Sequence, residues 1–283
     1  MTAFITWNIQ AGRGVDGFFD LARIARVLRA LGEAEVICLQ EVARWVPEID
    51  DGADQVAVLA SFFPEYKAYF GPAVYHPGIN AGQDQAFGNL VLMRLPVLQV
   101  FQHPLPQPAD LASKNMPRQA MEIIAAVSNG PLRIVTTHLE FFSALQRAAQ
   151  IMRLRELYAE ASAASPLRSS AEGKGIFAPL PRPVSSILCG DFNCEVQSEH
   201  YQCLIVPFPN ATPAICDAWG LVNPGQPHEP TCGVFDTKQW PQGPHCRDFF
   251  FVSHDLASRV LAIKVNGNTD ASDHQPLRMV LTD

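Results

Sequence analysis

Five times in this 283-residue chain, a short polar group stands at a predicted strand end: Asn8, Gln40-Glu41, His138, Asp191-Phe192-Asn193 and Ser272-Asp273-His274. Strand ends lie on the rim of a sheet, where layered α/β proteins build their sites. Acids, amides and imidazoles recurring at that position call for a fold that gathers the ends of distant strands at one place.

The apolar pattern supports such a fold. Strands are expected at 3–9, 36–39, 66–70, 88–93, 97–101, 120–127, 132–138, 184–189, 248–252, 260–265 and 277–281, each rich in Val, Ile, Leu or Phe and bounded by Gly, Pro or Asn. Leu21, Ile24, Ala25, Leu28 and Leu31 recur at helical spacing, with Asp20 as N-cap and Gly32 as stop. Further helices are expected near 53–63 and over 143–163. Strands in succession and helices between them point to sheets with helices outside, not to an alternating barrel. With no internal repeat and no break in composition, residues 1–283 read as one domain. Loops 72–86, 102–117, 164–183 and 223–246 are expected to shape a pocket, the Ser/Pro/Gly-rich stretch 164–183 being the most mobile.

Composition narrows the chemistry. At 48% hydrophobic and 17% charged residues, the chain can bury a large core. A net charge of -7 argues against gripping long duplex nucleic acid through many phosphates, but allows a small phosphorylated substrate or a short nucleic-acid segment. Seven cysteines form no CxxC pair and read as reduced structural thiols. No stretch is apolar for the length of a membrane span, and the first ten residues lack the features of a signal peptide. A cytoplasmic protein without membrane attachment is expected.

Each polar group has a plain reading beside a chemical one. Glu41 follows Val36-Ile37-Cys38-Leu39 and is a candidate ligand for a hard cation; taken alone, a helix N-cap or a surface acid at a strand exit is the preferred reading. Asn8 could complete the same shell with its amide oxygen, or simply make a turn. Asp191 could orient or deprotonate water and Asn193 could steady phosphate oxygens, with Gly190 turning the backbone between strand and site; an Asx turn is the bland alternative. His274 with Asp248 forms a candidate acid–base pair, because a carboxylate on one ring nitrogen raises the basicity of the other. His138 could donate to a phosphate or protonate a leaving group, and Arg118 could bind a phosphate oxygen or be a solvated charge. Trp7 and Trp219 read as packing.

Taken in order, Thr6-Trp7-Asn8-Ile9, Leu39-Gln40-Glu41-Val42, Thr137-His138-Leu139, Gly190-Asp191-Phe192-Asn193, Arg247-Asp248 to Val252 and Ser272-Asp273-His274 give the chain a resemblance to the endonuclease/exonuclease/phosphatase superfamily. The resemblance implies a four-layer α/β sandwich, with two mixed sheets face to face and helices outside. It further implies Mg²⁺ or Mn²⁺ on Glu41 with Asn8 and Asp273, Asp191 and Asn193 positioning water and phosphate, His274 paired with Asp248, and His138 beside the scissile phosphate. Thr137-His138-Leu139-Glu140 and Leu39-Gln40-Glu41-Val42 look like the branch holding tyrosyl-DNA phosphodiesterases. Arg247-Asp248-Phe249-Phe250 departs from the abasic-site form, and with the acidic balance it weakens a DNA-repair assignment. The expected activity is metal-dependent hydrolysis of a phosphodiester at nucleic-acid ends or in nucleotides. An inositol- or lipid-phosphate hydrolase ranks below it, for want of a basic amphipathic helix or lipidation signal. A non-catalytic scaffold ranks below both, since it has no need of clustered carboxylates.

Overall fold

In a computed structural model, which describes residues 1–78, 82–169 and 173–282, strands and helices follow one another as β1 (Thr2–Asn8), α1 (Leu21–Ala30), β2 (Val36–Arg44), α2 (Gln55–Phe62), β3 (Lys67–His76), β4 (Gln85–Met93), β5 (Val97–Pro104), β6 (Gln119–Val127), β7 (Gly130–His138), α3 (Ala144–Ser169), β8 (Ser186–Asp191), α4 (Glu199–Ile205), β9 (Ile215–Asp217), α5 (Ala218–Val222), β10 (Asp248–Ser253), β11 (Val260–Val265) and β12 (Leu277–Leu281). They form two six-stranded sheets, ordered β11-β12-β1-β2-β4-β3 and β5-β6-β7-β8-β10-β9. Each sheet is antiparallel except for one central parallel pair, β1 with β2 and β7 with β8. Parallel neighbours end on the same side, so the two sheets bring four strand ends towards one rim.

Side chains alternate across each strand and build three apolar layers. Phe4, Val36 and Cys38 of the first sheet meet Met121, Ile134, Ile187, Cys189, Phe250 and Val252 of the second. On the opposite face of the first sheet, Ile5, Trp7, Ile37 and Leu39 pack with Ile24 and Leu28 of α1 and Leu59 of α2. Behind the second sheet, Val135, Phe249 and Phe251 pack with Ile151, Leu154 and Tyr158 of α3 and Leu204 of α4. The result is the four-layer α/β sandwich. Burial on both faces explains why the central strands read as unbroken apolar runs. The N-cap at Asp20 is present, its side chain accepting from Arg23 N–H at 2.8 Å.

Several local expectations change. β2 does not stop before Glu41: the register shifts between Leu39 and Val42 and the strand continues to Arg44. The bulge is a two-residue irregularity that keeps the apolar Val42 and Ala43 in the sheet. Residues 72–76 and 85–86 of the expected loop 72–86 are the arms of a hairpin, because Val74, Tyr75 and His76 pair with Phe87, Ala86 and Gln85; residues 79–81 lie outside the described ones. Helix α3 runs to Ser169, past the expected end at 163, so the first six residues of the anticipated mobile segment 164–183 are helical; residues 170–172 lie outside the described ones. Ser272-Asp273-His274 ends no strand and instead leads into β12.

The second sheet carries a buried charge network that its apolar pattern conceals. Glu122 on β6 is fully buried; its oxygens accept from Arg182 Nε at 2.7 Å and Nη2 at 3.0 Å, and lie 3.0 Å from His103 Nε2. Arg133, itself 2% exposed, stands 3.8 Å away. Burial pushes the Glu122 carboxyl up, but His103, Arg182 and Arg133 outweigh it and hold it down at about 2. A depressed carboxyl stabilises the fold above its unfolded value near 4.5, and the contribution disappears as the pH falls through 2. Glu122→Gln, which strands two guanidinium groups, is therefore expected to cost about 3 kcal/mol at pH 7 in urea unfolding. The difference from the wild type should shrink progressively between pH 4.5 and 2.

Candidate active site

The register of the strands sets the site. In the second sheet, His138, Asp191 and Asp248 stand abreast on β7, β8 and β10. In the first, Asn8 stands opposite Gln40, one residue before Glu41. Gly190 is required for close approach more than for a turn: its φ is +129°, and a Cβ there would lie 2.0 Å from the Thr137 carbonyl oxygen. Glu41 has φ +57°, a left-handed conformation uncommon for glutamate, imposed by the bulge and aiming its carboxylate into the gap between the sheets.

Asn8 bridges the two rims. Its amide nitrogen donates to Glu41 Oε1 at 2.9 Å and to Asp191 Oδ2 at 3.0 Å. Its oxygen accepts from Gln10 N–H at 3.0 Å. The amide is thus turned away from the orientation expected of a metal ligand, and it steers two carboxylates instead. Below it, Gln40 ties the sheets together, donating to Thr6 Oγ1 at 3.1 Å and Thr136 Oγ1 at 3.0 Å.

Asp191, 1% exposed, accepts from Asn193 N–H at 2.8 Å, and its Oδ2 lies 3.5 Å from His138 Nε2 and 3.7 Å from His274 Nε2. Burial works to raise its carboxyl, yet His274 and the hydrogen bonds from Asn8 and Asn193 win and hold it low. His274 Nδ1 is 2.7 Å from Asp248 Oδ2. Burial alone would lower the imidazole; Asp248, Asp273 and Asp191 together raise it well above its ordinary value. Burial likewise lifts Asp248 to about 6, so the pair shares a proton as a unit. His138 goes the other way: burial and the charge of Arg118 push it down to about 3, leaving a neutral ring.

Around these groups opens a cleft of about 590 Å³, lined by Glu41, Arg118, His138, Asp191, Asn193, Asp273 and His274. Asn8 and Asp248 stand behind it, hydrogen-bonded to lining residues. Every candidate catalytic, substrate-binding or metal-binding residue named from the sequence is therefore in or directly behind one cleft. Arg118 is not a solvated charge: it is 6% exposed, its Nε donates to Glu140 Oε2 at 3.2 Å, and its Nη1 is buried without a partner. Asn193 donates to the Leu139 carbonyl at 2.9 Å, which pins its side chain. Trp7 and Trp219 are core, the Trp7 indole N–H donating to the His274 carbonyl at 2.8 Å.

Cations divide the carboxylates by their environment. Mg²⁺ takes oxygen donors and few carboxylates, keeping water for its other positions. Glu41 fits, because its side chain is 26% exposed at the cleft. Burial and repulsion from Asp273 lift its carboxyl to about 7, a strain that a bound cation relieves. Asp273 fits less freely: its Oδ2 already accepts from Gln239 Nε2 at 2.7 Å and Trp240 Nε1 at 3.1 Å. Asp191, Asp248 and His274 form a tight group with atoms within 4.8 Å, but the ring nitrogen committed to Asp248 makes it an acid–base relay more than an oxygen shell.

Several lining residues had no role in the sequence reading. Glu140, Phe141 and Phe142 follow His138; Gln239 and Trp240 come from a loop about a hundred residues later. Trp240 is 2% exposed, meets Phe141 edge-on at 5.6 Å between centroids, and carries the Arg247 guanidinium 4.9 Å above its ring. The aromatic doublet beside Thr137-His138-Leu139-Glu140 was a visible signal; nothing local marks Trp240. Of the loops expected to shape the pocket, 102–117 contributes Lys114, Asn115 and Met116, and 223–246 contributes Gln239 and Trp240. Among the described residues, 164–183 supplies none; Arg182 instead reaches Glu122 on the far side of the sheet. All seven cysteines are free thiols.

Residues 5–274 match the sequence profile described as the Endonuclease/Exonuclease/phosphatase family. No curated protein matches the chain. Among solved structures, an endonuclease/exonuclease/phosphatase from Beutenbergia cavernae is 23% identical, with a TM-score of 0.67 over 98% of this chain and 70% of its own. A mannosyl-6-phosphatase from Bacteroides thetaiotaomicron is 16% identical, with a TM-score of 0.65 and complete coverage of both chains at 100%. Truncated Caenorhabditis elegans TDP2 is 18% identical, with a TM-score of 0.65 over 100% of this chain and 97% of its own. Likeness at such identities speaks for the fold, and leaves the reaction to the site and the family.

Proposed function

The chain belongs to the endonuclease/exonuclease/phosphatase family of phosphate-ester hydrolases, and from that premise we propose that residues 1–283 act as one catalytic domain, a divalent-metal-dependent phosphodiesterase for nucleic-acid ends or nucleotides. The observation that carries the reading is one cleft in which an ionised Asp191, a proton-bearing His274–Asp248 pair and the unpartnered Nη1 of Arg118 stand together. A phosphoryl oxygen is the ligand that satisfies a buried, unpaired guanidinium N–H.

The residues divide the work of in-line attack by water. Asp191, kept as carboxylate, accepts the proton of the attacking water. His274, held protonated by Asp248, Asp273 and Asp191, donates to the charge that grows on the phosphoryl oxygens. Neutral His138 adds an N–H, and Arg118 fixes the phosphate in line. Glu41 would hold Mg²⁺ or Mn²⁺, with Asp273 and Asp191 as further carboxylates of the same cleft; bound there, the cation would supply neutralisation of phosphate charge.

Polyphosphorylated inositols suit the cleft less well, since Lys114 and Arg118 are the lysine and arginine residues among its described lining. Phe142, exposed at the mouth of the cleft with Phe141 edge-on beside it, suits the face of a base. Among the described residues, no helix is long and apolar enough to cross a membrane. A Mg²⁺/Mn²⁺ activity panel over single-stranded DNA, RNA, nucleotides, tyrosyl phosphodiesters and inositol phosphates tests the assignment. Metal-dependent turnover, abolished by chelator and fastest on nucleic-acid ends or nucleotides, is expected; faster inositol phosphate hydrolysis overturns the substrate class. Arg118→Lys keeps the charge beside Glu140 but loses the planar fork, and is expected to raise KM about tenfold in steady-state kinetics.

A further inference from the structure

A second cavity of about 500 Å³ opens beside the catalytic cleft and shares two of its walls, Phe87 and Met116. Its other sides are Val46, Ile49, Val74 and Ala86, with Glu48, His76 and Gln85 also lining it. Its described lining contains no lysine or arginine, and Glu48 is exposed. The two cavities thus differ in kind: one holds the acids, imidazoles and cations, while the other is an apolar chamber whose single formal charge is negative.

We propose that this chamber receives an uncharged aromatic ring carried by the group esterified to the phosphate in the catalytic cleft, so that the chamber takes one such ring and excludes a further phosphate. The inference rests on the phosphodiesterase reading and names its substrate class. Three observations support it. The shared walls place the chamber next to the phosphate site. Burying an aromatic ring against Val46, Ile49, Val74, Phe87 and Met116 removes apolar surface from water on both sides. A second phosphate placed there would meet Glu48 with no cation to offset it, whereas a strand-binding groove needs basic side chains along its track. The bulge in β2 and the hairpin of β3 and β4 build the chamber, with Val46 and Ile49 just beyond β2 and Val74, Ala86 and Phe87 on the facing arms.

Calorimetric titration in Mg²⁺ buffer tests the idea without turnover. Naphthylmethylphosphonate is expected to bind at least about tenfold more tightly than methylphosphonate. Phe87→Ala, checked for folding by its melting temperature, should bring that ratio below about threefold. A naphthyl probe carrying a carboxylate on the distal ring should lose the advantage, and Glu48→Lys, a change at an exposed position, should restore it. Thymidine 5′-monophosphate separates the two sources of such a ring: affinity near that of the naphthyl probe assigns a nucleobase, affinity near that of methylphosphonate an aryl ester. Equal binding of the methyl and naphthyl probes overturns the proposal, as does a ratio that survives Phe87→Ala in a folded protein or a carboxylate penalty indifferent to Glu48→Lys. Hydrolysis of methyl 4-nitrophenyl phosphate by the wild type is followed separately; its absence counts against the phosphodiesterase reading and leaves the ring preference to stand or fall by binding.

Discussion

Asp191→Ala is expected to lower kcat for bis(4-nitrophenyl) phosphate by about a thousandfold, in keeping with the loss of a positioned general base. The carboxylate sits where both sheets converge, with Asn8 of the first sheet and Asn193 of its own strand-end turn donating to it. Those two donors and His274 keep it ionised against the cost of burial, and no other carboxylate of the cleft has that combination. Glu41 and Asp273 are both raised. Alanine also leaves the Asn193 N–H without its acceptor, at a cost of about 1–3 kcal/mol, so thermal melting must accompany the kinetics. Asp191→Asn retains the shape and part of the hydrogen bonding while losing the base, and should be as inactive as alanine but more stable. Turnover within a few-fold of wild type in the folded asparagine variant removes Asp191 from the proton transfer.

The second large effect is on the metal. Glu41→Gln is expected to weaken Mg²⁺ binding by about a hundredfold or more in calorimetry, because the carboxylate that best suits a hard cation is replaced by a neutral amide. The same change should not lower the melting temperature of the metal-free protein. Glu41 is a half-buried acid repelled by Asp273 and raised to about 7, so an uncharged side chain relieves a native-state conflict. Mg²⁺ should raise the melting temperature of the wild type and leave that of Glu41→Gln unmoved. Undiminished Mg²⁺ affinity in the variant transfers the cation to another group of carboxylates.

The apolar runs were enough to locate most of the secondary structure, since strands buried on both faces advertise themselves by composition. The two-sheet arrangement came through resemblance, on motifs lying in order from Thr6 to His274. Failures of the local reading have physical causes. The bulge at Gln40-Glu41 looked like a strand end, because two polar residues interrupt an apolar run whether the chain stops or merely shifts register. Helix α3 overran its expected limit, continuing to Ser169 although Pro166 signals a stop. Arg118 taken alone read more readily as a solvated surface charge, because burial beside Glu140 depends on a contact 22 residues away.

What the chain determines by itself is the inventory: acids, amides and imidazoles placed beside apolar strands, with glycine at position 190 where β8 must approach Thr137. Their protonation was decided only by the fold. Asp191 and Asp248 are the same residue type, both almost completely buried, and they shift in opposite directions. His138 and His274 diverge in the same way. The reason is that a buried group's charge state is a balance of desolvation against neighbours a few ångströms away, and those neighbours lie far off in the chain, as Asn8 lies 183 residues from Asp191.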